Sequence, residues 1–475
     1  MSTQNPPRLL DLAAKSLLRD GGVAVAGLEH LPAELFPLLF MEAFFGKHTE
    51  SLQALVQAWP FSYLPLGGLM QLPQGRTLQA TLDGLDLLLA QKVRPRRWKL
   101  QTLDLRNTGQ NFWNLWSGAG AQGCSPTRPV AVESCRVKQP LASLEVLIDL
   151  CISDRIQDQF FTSLIGWAKQ REGSLHLCCK TLKMFAVTME ETENVLALVH
   201  WGCVQEVEVH CTWSLSTLGK FAPYLGEMSH LQRLSLSHIY VPDSEEGEER
   251  HLSRFTSQIL RLKHLRKLYL ESPYFLMGRL DRLLRCLQTP LETLSITGCL
   301  FSESDLIYLS QCPNLSQLKD LDLSGVNFTG LSLEPLRALL EKVAATLQDL
   351  DLIFCGLEDS HVEAILPVLS RCHQLRVLSI SGNLLSIATV EKLLHHTAGL
   401  HNLSLELYPA PLETYSSEGA LELGTFARIR AELMAFLKKL GKPRTIWLST
   451  SPCPHCGNKK FYDTEPVLCP CENPA

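Results

Sequence analysis

Close to the end of the chain, Cys453-Pro454-His455-Cys456 is followed by Cys469-Pro470-Cys471. Thiolates are strong ligands for borderline metals, and a Cys-x-x-Cys knuckle lets two sulfurs converge on one tetrahedral ion. Cys453, Cys456, Cys469 and Cys471 therefore form a candidate structural zinc site. The second pair is separated by one residue, shorter than the usual knuckle, and His455 can replace one sulfur. A reduced, metal-free tail and a labile disulfide are the competing readings, and no other cofactor is implied. No βαβ pattern surrounds the knuckle, which argues against thioredoxin-like chemistry. The sequence also lacks a nucleophile elbow, a P-loop and a dinucleotide fingerprint, so the chain is expected not to be an enzyme.

Periodicity reveals the elements that must carry any other function. Leu-x-x-Leu-x-Leu recurs at Leu231-Leu234-Leu236, Leu265-Leu268-Leu270, Leu291-Leu294-Ile296, Leu318-Leu321-Leu323, Leu347-Leu350-Leu352, Leu375-Leu378-Ile380 and Leu400-Leu403-Leu405, with Val204-Val207-Val209 ahead of them. Subtracting successive first positions gives intervals of 27, 34, 26, 27, 29, 28 and 25, in or near the ~20–29-residue range of leucine-rich repeats. Weaker frames lie at Leu100-Leu103-Leu105 and Leu175-Leu177. Each Leu-x-Leu pair reads as a short strand. The segments between read as helices: Ser302 to Asp305 resembles a capping box, and Leu336, Leu339, Leu340 and Val343 share one helix face. Cys299, Cys355 and Asn383 occupy the position where such repeats use Asn or Cys to bond the turn backbone. One strand and one helix per repeat cannot bury both apolar faces alone, but stacked neighbours can. The expected fold is α/β: a leucine-rich repeat solenoid of ribonuclease-inhibitor-like strand-plus-helix repeats, a horseshoe with a broad binding surface on its concave strands. Pro242 to Arg250, inside the longest interval, reads as an acidic solvent loop.

With 475 residues, the chain exceeds the ~250–300 that one core usually holds. It divides by pattern into a helical N-terminal cap (1–98), degenerate first repeats (99–203) with a flexible Gly- and Pro-bearing insertion (117–140), the main repeats (204–425), and a C-terminal cap with a Cys-rich tail (426–475). A composition of 45% hydrophobic and 20% charged residues excludes a disordered chain, and a net charge of −5 gives no basic bias toward nucleic acid. No apolar run approaches the ~20 residues of a membrane span, and Met1 to Pro7 lacks the features of a signal peptide. The 16 cysteines are scattered without a dense framework, which favours reduced thiols in cytoplasm or nucleus.

Within the first 98 residues, Leu9-x-x-x-Ala13-x-x-x-Leu17 resembles the box with which ubiquitin-ligase receptors grip elongin C. Its residues fall at i, i+4 and i+8 on one helix face, with a small side chain where a partner must approach closely. Arg8 stands where a small residue or proline is usual. Downstream, Leu31, Pro32, Leu35 and Leu39 fit a pattern associated with cullin-2. Leu-x-x-Leu-Leu occurs at Leu35–Leu39, Leu85–Leu89, Leu280–Leu284 and Leu336–Leu340. Such a helix can dock on a nuclear receptor, although core spacing in leucine-rich repeats yields the same pentapeptide. Arg94-Pro95-Arg96-Arg97-Trp98-Lys99 reads as a solvated basic junction.

Phe40-Met41-Glu42-Ala43-Phe44, Val56-Gln57-Ala58-Trp59-Pro60-Phe61, Arg94 to Leu100, Pro290 to Thr297 and Pro452 to Gly457 together resemble the PRAME family, named for the preferentially expressed antigen of melanoma. The resemblance runs almost from end to end. It implies a leucine-rich repeat substrate receptor of cullin-2 RING ubiquitin ligases, with elongin C, cullin-2 and a RING subunit as partners and an unidentified protein as substrate. It also implies transcriptional repression, reduced retinoic acid receptor signalling, restraint of differentiation and apoptosis, and support of proliferation. The alternative it carries is a corepressor that binds the retinoic acid receptor without ligase involvement. The family's namesake has a basic, import-like cluster in the flexible insertion, whereas Ala131 to Lys138 has no such run here. The expected location is therefore cytoplasmic, with a nuclear fraction, and neither membrane nor nucleic acid is an expected partner.

Overall fold

The computed structural model describes residues 9–19, 27–28, 30–69, 75–91, 99–106, 112, 144–153, 159–171, 175–242, 247–417, 419, 421–441, 446–450 and 461–462. The chain divides into two compact units, Met1–Leu182 with Glu190–Val204, and Lys183–Met189 with Gln205–Ala475.

The first unit contains α1 (Leu9–Arg19), α2 (Phe36–Phe45), α3 (Thr49–Gln57), β1 (Tyr63–Leu64), α4 (Gly75–Leu89), β2 (Thr102–Asp104), β3 (Leu144–Ser153) and α5 (Gln159–Lys169), with most of β4 (Leu175–Phe185) and α6 (Met189–Leu196). Pro37 sits in the first turn of α2, where its fixed φ suits a helix start and its missing N–H costs nothing. Phe36, Phe40 and Phe44 recur at i, i+4 and i+8, and all are buried. Trp59 meets Phe40 edge-on, with ring centroids 5.3 Å apart, a geometry that aligns the positive ring edge with a negative face. Burying each of these aromatics contributes roughly 2–3 kcal/mol. The helices α3 and α4 approach closely because position 84 is glycine: a Cβ there would lie 2.9 Å from the Gln53 backbone. Leu64, Leu103 and Val146 align across the parallel strands β1, β2 and β3, so apolar positions stack from one repeat to the next.

The second unit continues with β5 (Glu206–His210), α7 (Leu215–Glu227), β6 (Arg233–Ser237), α8 (Glu248–Ile259), β7 (Lys267–Glu271), α9 (Leu280–Leu284), β8 (Thr293–Thr297), α10 (Glu303–Gln311), β9 (Asp320–Asp322), α11 (Glu334–Val343), β10 (Asp349–Asp351), α12 (Asp359–Leu369), β11 (Val377–Ser379), α13 (Ile387–Thr397), β12 (Leu405–Pro409), α14 (Leu423–Lys439), β13 (Trp447–Ser449) and β14 (Phe461–Tyr462). Strands β5 to β13 pair in chain order and in parallel, and β14 returns antiparallel to β13. Val207, Leu234, Leu268, Leu294, Leu321, Leu350 and Leu378 align across successive strands and are all buried. This is the α/β leucine-rich repeat solenoid that the periodicity implies: each strand turns its leucines toward a layer of helices supplied by the same repeats.

Two local expectations fail. The last frame is not Leu400-Leu403-Leu405, because Leu378 pairs with Glu406 and Val377 with Leu405. The interval is therefore 406 − 378 = 28, and Leu405 is 38% exposed whereas Glu406 is 1% exposed. A carboxyl takes a leucine position here because the Tyr408 hydroxyl donates to Glu406 Oε2 at 2.7 Å, which offsets part of the cost of burying it. The acidic insertion is likewise not loop throughout. Glu248, Glu249 and Arg250 form the first turn of α8, which starts after Gly247 at φ 87°. Acidic residues suit the positive helix N-terminus, and both glutamates also pair with arginines of the next repeat, Glu248 with Arg279 and Glu249 with Arg282.

Two of the three turn positions, Cys355 and Asn383, bond the turn backbone as the spacing predicts, while Cys299 is buried there. Asn383 Oδ1 accepts the N–H groups of Cys355 at 2.9 Å and Leu357 at 3.0 Å, while Nδ2 donates to Leu352 O at 2.8 Å. The Cys355 thiol donates to Leu323 O at 3.2 Å. Burial pushes both Cys299 and Cys355 up to about 12, so each remains an uncharged thiol at neutral pH. Among the described residues the cysteines are free thiols, and no helix is long and apolar enough to cross a membrane.

Candidate functional site

Helix α1 carries two apolar lines, and the structure buries one of them. Ala14 (5% exposed) and Leu18 (3% exposed), four residues apart, are the buried residues of the helix, which packs on α2. Lys15 Nζ lies 4.0 Å from Glu42 Oε2 at the edge of that contact. Leu9, Ala13 and Leu17 fall on another line of the helix: Leu9 is 83% exposed, Ala13 is exposed and Leu17 is half-buried. Leu10 and Leu12 are exposed as well. An apolar arc with a small residue at its centre therefore stands in solvent on a helix anchored from the other side. Leucines left in solvent gain the fold little where they stand, and several of them share this one helix.

The second segment divides differently. Pro32 is exposed and Leu31 and Leu35 are half-buried, but Leu39 is only 4% exposed. Leu39 belongs to the aromatic core of α2, whereas Leu31, Pro32 and Leu35 keep surface accessible to solvent. In the Leu-x-x-Leu-Leu pentapeptides, Leu38, Leu39, Leu85, Leu88, Leu280, Leu283, Leu284, Leu336, Leu339 and Leu340 are all buried. Their spacing reports core packing.

In the second unit the strand residues that alternate with the buried leucines form a polar face with three zones. Around β5 and β6, Glu208 pairs with Lys183 at 2.9 Å and Arg233 at 3.3 Å, and the Arg233 guanidinium lies 4.7 Å from the Tyr269 ring centroid. Next come hydroxyls: Thr293 Oγ1 donates to Asp320 Oδ2 at 2.7 Å, and Ser295 Oγ to Asp322 Oδ2 at 2.9 Å. In register beside these aspartates stand Asp349 and Asp351. Burial first, then a hydrogen bond with Asp320, pushes Asp349 above the usual carboxylate range. Burial, followed by the charges of Asp322, Asp349 and Asp320, raises Asp351 to about 6. Sequence reading did not single out these aspartates, although the Asp-Leu-Asp strands at 320–322 and 349–351 carry the signal. The zone can accept a cationic segment of another protein, whose positive charge would relieve the mutual repulsion.

This carboxylate ladder predicts a pH effect. A carboxyl that titrates near 6 in the folded chain and near ~3.9 unfolded keeps its proton longer in the native state. It costs no stability below pH ~4, costs progressively more as pH rises toward 6, and costs its full amount above that. Asp351→Asn is therefore expected to stabilise the chain at pH 7.5 by about 1 kcal/mol, after allowance for solvent screening, with the gain vanishing near pH 4. Thermal unfolding of the two chains at both pH values checks this: an equal or larger gain at the lower pH contradicts the assignment.

Cys453, Cys456, Cys469 and Cys471 lie outside the described residues, as does the basic junction from Arg94 to Trp98.

Comparison with known proteins assigns the chain. A PRAME N-terminal domain model matches residues 6–113 and a PRAME C-terminal domain model matches residues 144–471. Among human proteins, the chain is 52% identical to PRAME family member 12 over 99% of this chain and 98% of that protein. It is 50% identical to PRAME family member 20, over 99% of this chain and all of that one. PRAME family member 8 is 51% identical over the same shares. A crystal structure of a Bacteroides fragilis protein covers 61% of this chain and 82% of its own, at 17% identity and a TM-score of 0.34, too distant to add to the assignment. Its repeat strands, its N-terminal helices and these end-to-end matches agree: the chain belongs to the PRAME family.

Proposed function

We propose that this chain is a non-enzymatic substrate receptor of a cullin-2 RING ubiquitin ligase. Leu9, Ala13 and Leu17 on α1 hold elongin C, Leu31, Pro32 and Leu35 favour cullin-2, and the polar strand face of the second unit selects a protein substrate. The observation that carries this reading is the solvent-facing apolar arc of α1 on a helix whose opposite side, through Ala14 and Leu18, is already docked. The mechanism is proximity: a substrate held on the same chain as the ligase meets the ubiquitin-transfer machinery at high effective concentration. Asp320, Asp322, Asp349 and Asp351 favour a substrate segment rich in Lys or Arg. Repression of transcription and restraint of differentiation and apoptosis would follow from which substrate is removed. The protein would act in the cytoplasm, with a nuclear fraction.

The test is co-purification of the full-length chain with elongin C and cullin-2 after co-expression. Recovery of a complex supports the reading, and failure of both partners to associate overturns it. Deleting residues 1–45 is unsuitable as a control, since it removes Phe36, Phe40 and Phe44 from the core; point substitutions on the exposed face of α1 avoid that damage. The corepressor reading has no comparable support, because the leucines it would present are buried. Structural zinc on Cys453, Cys456, Cys469 and Cys471 remains part of the proposal, and elemental analysis of the purified chain tests it.

A further inference from the structure

Away from the surfaces described above, the first unit gathers thiols and imidazoles that neither the core nor the proposed receptor role uses. His176 and Cys178 alternate along β4 and so point to the same side of the strand. His200 and Cys203 bracket a single 3-10 turn, Trp201–Cys203, in which residues three apart eclipse. The turn is pinned against the strand: the His200 N–H donates to Leu177 O at 3.1 Å, and the Cys203 N–H donates to His200 O at 3.0 Å. The backbone therefore holds a His-x-Cys strand segment against a His-x-x-Cys turn.

The side chains converge as that placement requires. Cys203 Sγ stands 3.7 Å from His176 Nε2 and 3.9 Å from His200 Nδ1. The ligand atoms of His176, His200 and Cys203 all lie within 4.8 Å of one another. The two imidazole rings are 4.4 Å apart between centroids. Tetrahedral zinc, with Zn–S of about 2.3 Å and Zn–N of about 2.0–2.1 Å, places sulfur and nitrogen about 3.6 Å apart along each edge. The two sulfur–nitrogen edges already lie within a few tenths of an ångström of that value, and the nitrogen–nitrogen edge, within 4.8 Å, closes toward the roughly 3.4 Å of a tetrahedral zinc site by imidazole torsion. A single S–H proton can bond one imidazole nitrogen at a time, whereas one divalent ion accepts lone pairs from both rings and the sulfur together.

The surroundings suit a bound ion. His200 is exposed and His176 and Cys203 are half-buried, so an ion can reach them from solvent. His176 and His200 also line a cavity of about 220 Å³ with Ala168, Leu175 and Leu198, which leaves room for a water. Cys178 is buried beside Cys203. We propose that His176, His200 and Cys203 are the protein ligands of a zinc site, with water in the fourth position. Three nitrogen and sulfur donors with one open position match the coordination that zinc adopts outside fully closed sites.

The test uses the full chain with Cys453→Ser, Cys456→Ser, Cys469→Ser and Cys471→Ser, which removes the candidate tail site. Native mass spectrometry after equilibration with Zn²⁺ is expected to show one ion per chain. Substitution with Co²⁺ is expected to give a thiolate charge-transfer band with the intense visible bands of four-coordinate cobalt. Cys203→Ser should abolish the charge-transfer band. His200→Ala, at an exposed position that the fold does not need, should weaken Zn²⁺ binding by at least about a hundredfold, since loss of even an outer hydrogen-bond partner costs 10–100-fold. Far-UV circular dichroism in chelator establishes that both variants are folded. If Cys203→Ser fails to fold, His200→Ala alone decides. No zinc on the serine-substituted chain, or zinc held equally well without His200, overturns the site. Neither result depends on whether the ligase subunits bind.

Discussion

A full-length chain carrying Ala13→Asp is expected to lose elongin C co-purification while melting at nearly the temperature of the parent chain. Ala13 is exposed, and the helix keeps its seat through Ala14 and Leu18, so the substitution costs the fold only the difference in helix propensity, about 0.5 kcal/mol. At the centre of an apolar contact, an unpaired carboxylate would be stripped of water without a partner. That costs about 3 kcal/mol or more, a loss of affinity of at least about a hundredfold. Leu9→Ala is expected to act in the same direction but less strongly, by the ~1.5–3 kcal/mol of one buried leucine. Leu18→Ala provides the contrast, because it opens a cavity beneath the helix and should lower the melting temperature. Undiminished elongin C recovery with Ala13→Asp would remove α1 from the interface.

The largest expected effect on stability comes from Asp305→Ala. Asp305 is 1% exposed and receives hydrogen bonds from the Ser302 N–H at 3.0 Å and the Ser302 hydroxyl at 2.7 Å, which complete the cap of α10. It also accepts from the preceding repeat, through the N–H groups of Gly278 at 2.9 Å and Leu280 at 3.1 Å. One carboxylate thus ties the start of α9 to the start of α10. Its removal leaves the Leu280 N–H buried without a partner, at ~1–3 kcal/mol, deprives the part-buried N–H groups of Gly278 and Ser302 of theirs, and opens a small void. A loss of about 4 kcal/mol in denaturant unfolding of the second unit is expected, and Asp305→Asn should recover part of it because one carbonyl oxygen remains. A midpoint unchanged by Asp305→Ala would show that these bonds are replaced by water.

The capping box was readable because Ser302 and Asp305 stand three apart before an apolar run. The bonds to Gly278 and Leu280 were not, since they join positions 27 and 25 residues away, and nothing local encodes a distant pairing. Glu406 failed for the opposite reason. Leu400, Leu403 and Leu405 satisfy the repeat pattern, and only the partner strand shows that Glu406 and Tyr408 face the core instead. A pattern of leucines gives period but not register when a competing frame also fits. At Leu39 the ambiguity is of another kind: the residue fits a partner motif and a core stripe equally, and burial decides for the core.

Taken alone, the amino-acid order determined the repeat unit, the parallel strand-and-helix architecture, the turn roles of Cys355 and Asn383, and the family. All of these follow from local spacing repeated many times, and repetition makes a weak local signal unambiguous. Tertiary structure decided which apolar residues remain exposed, because Leu9 and Leu18 are equally apolar in sequence and differ only in what packs on them. It also gathered His176 with His200 and Cys203, and Asp322 with Asp351, since proximity between residues far apart in the chain arises only when strands and turns stack.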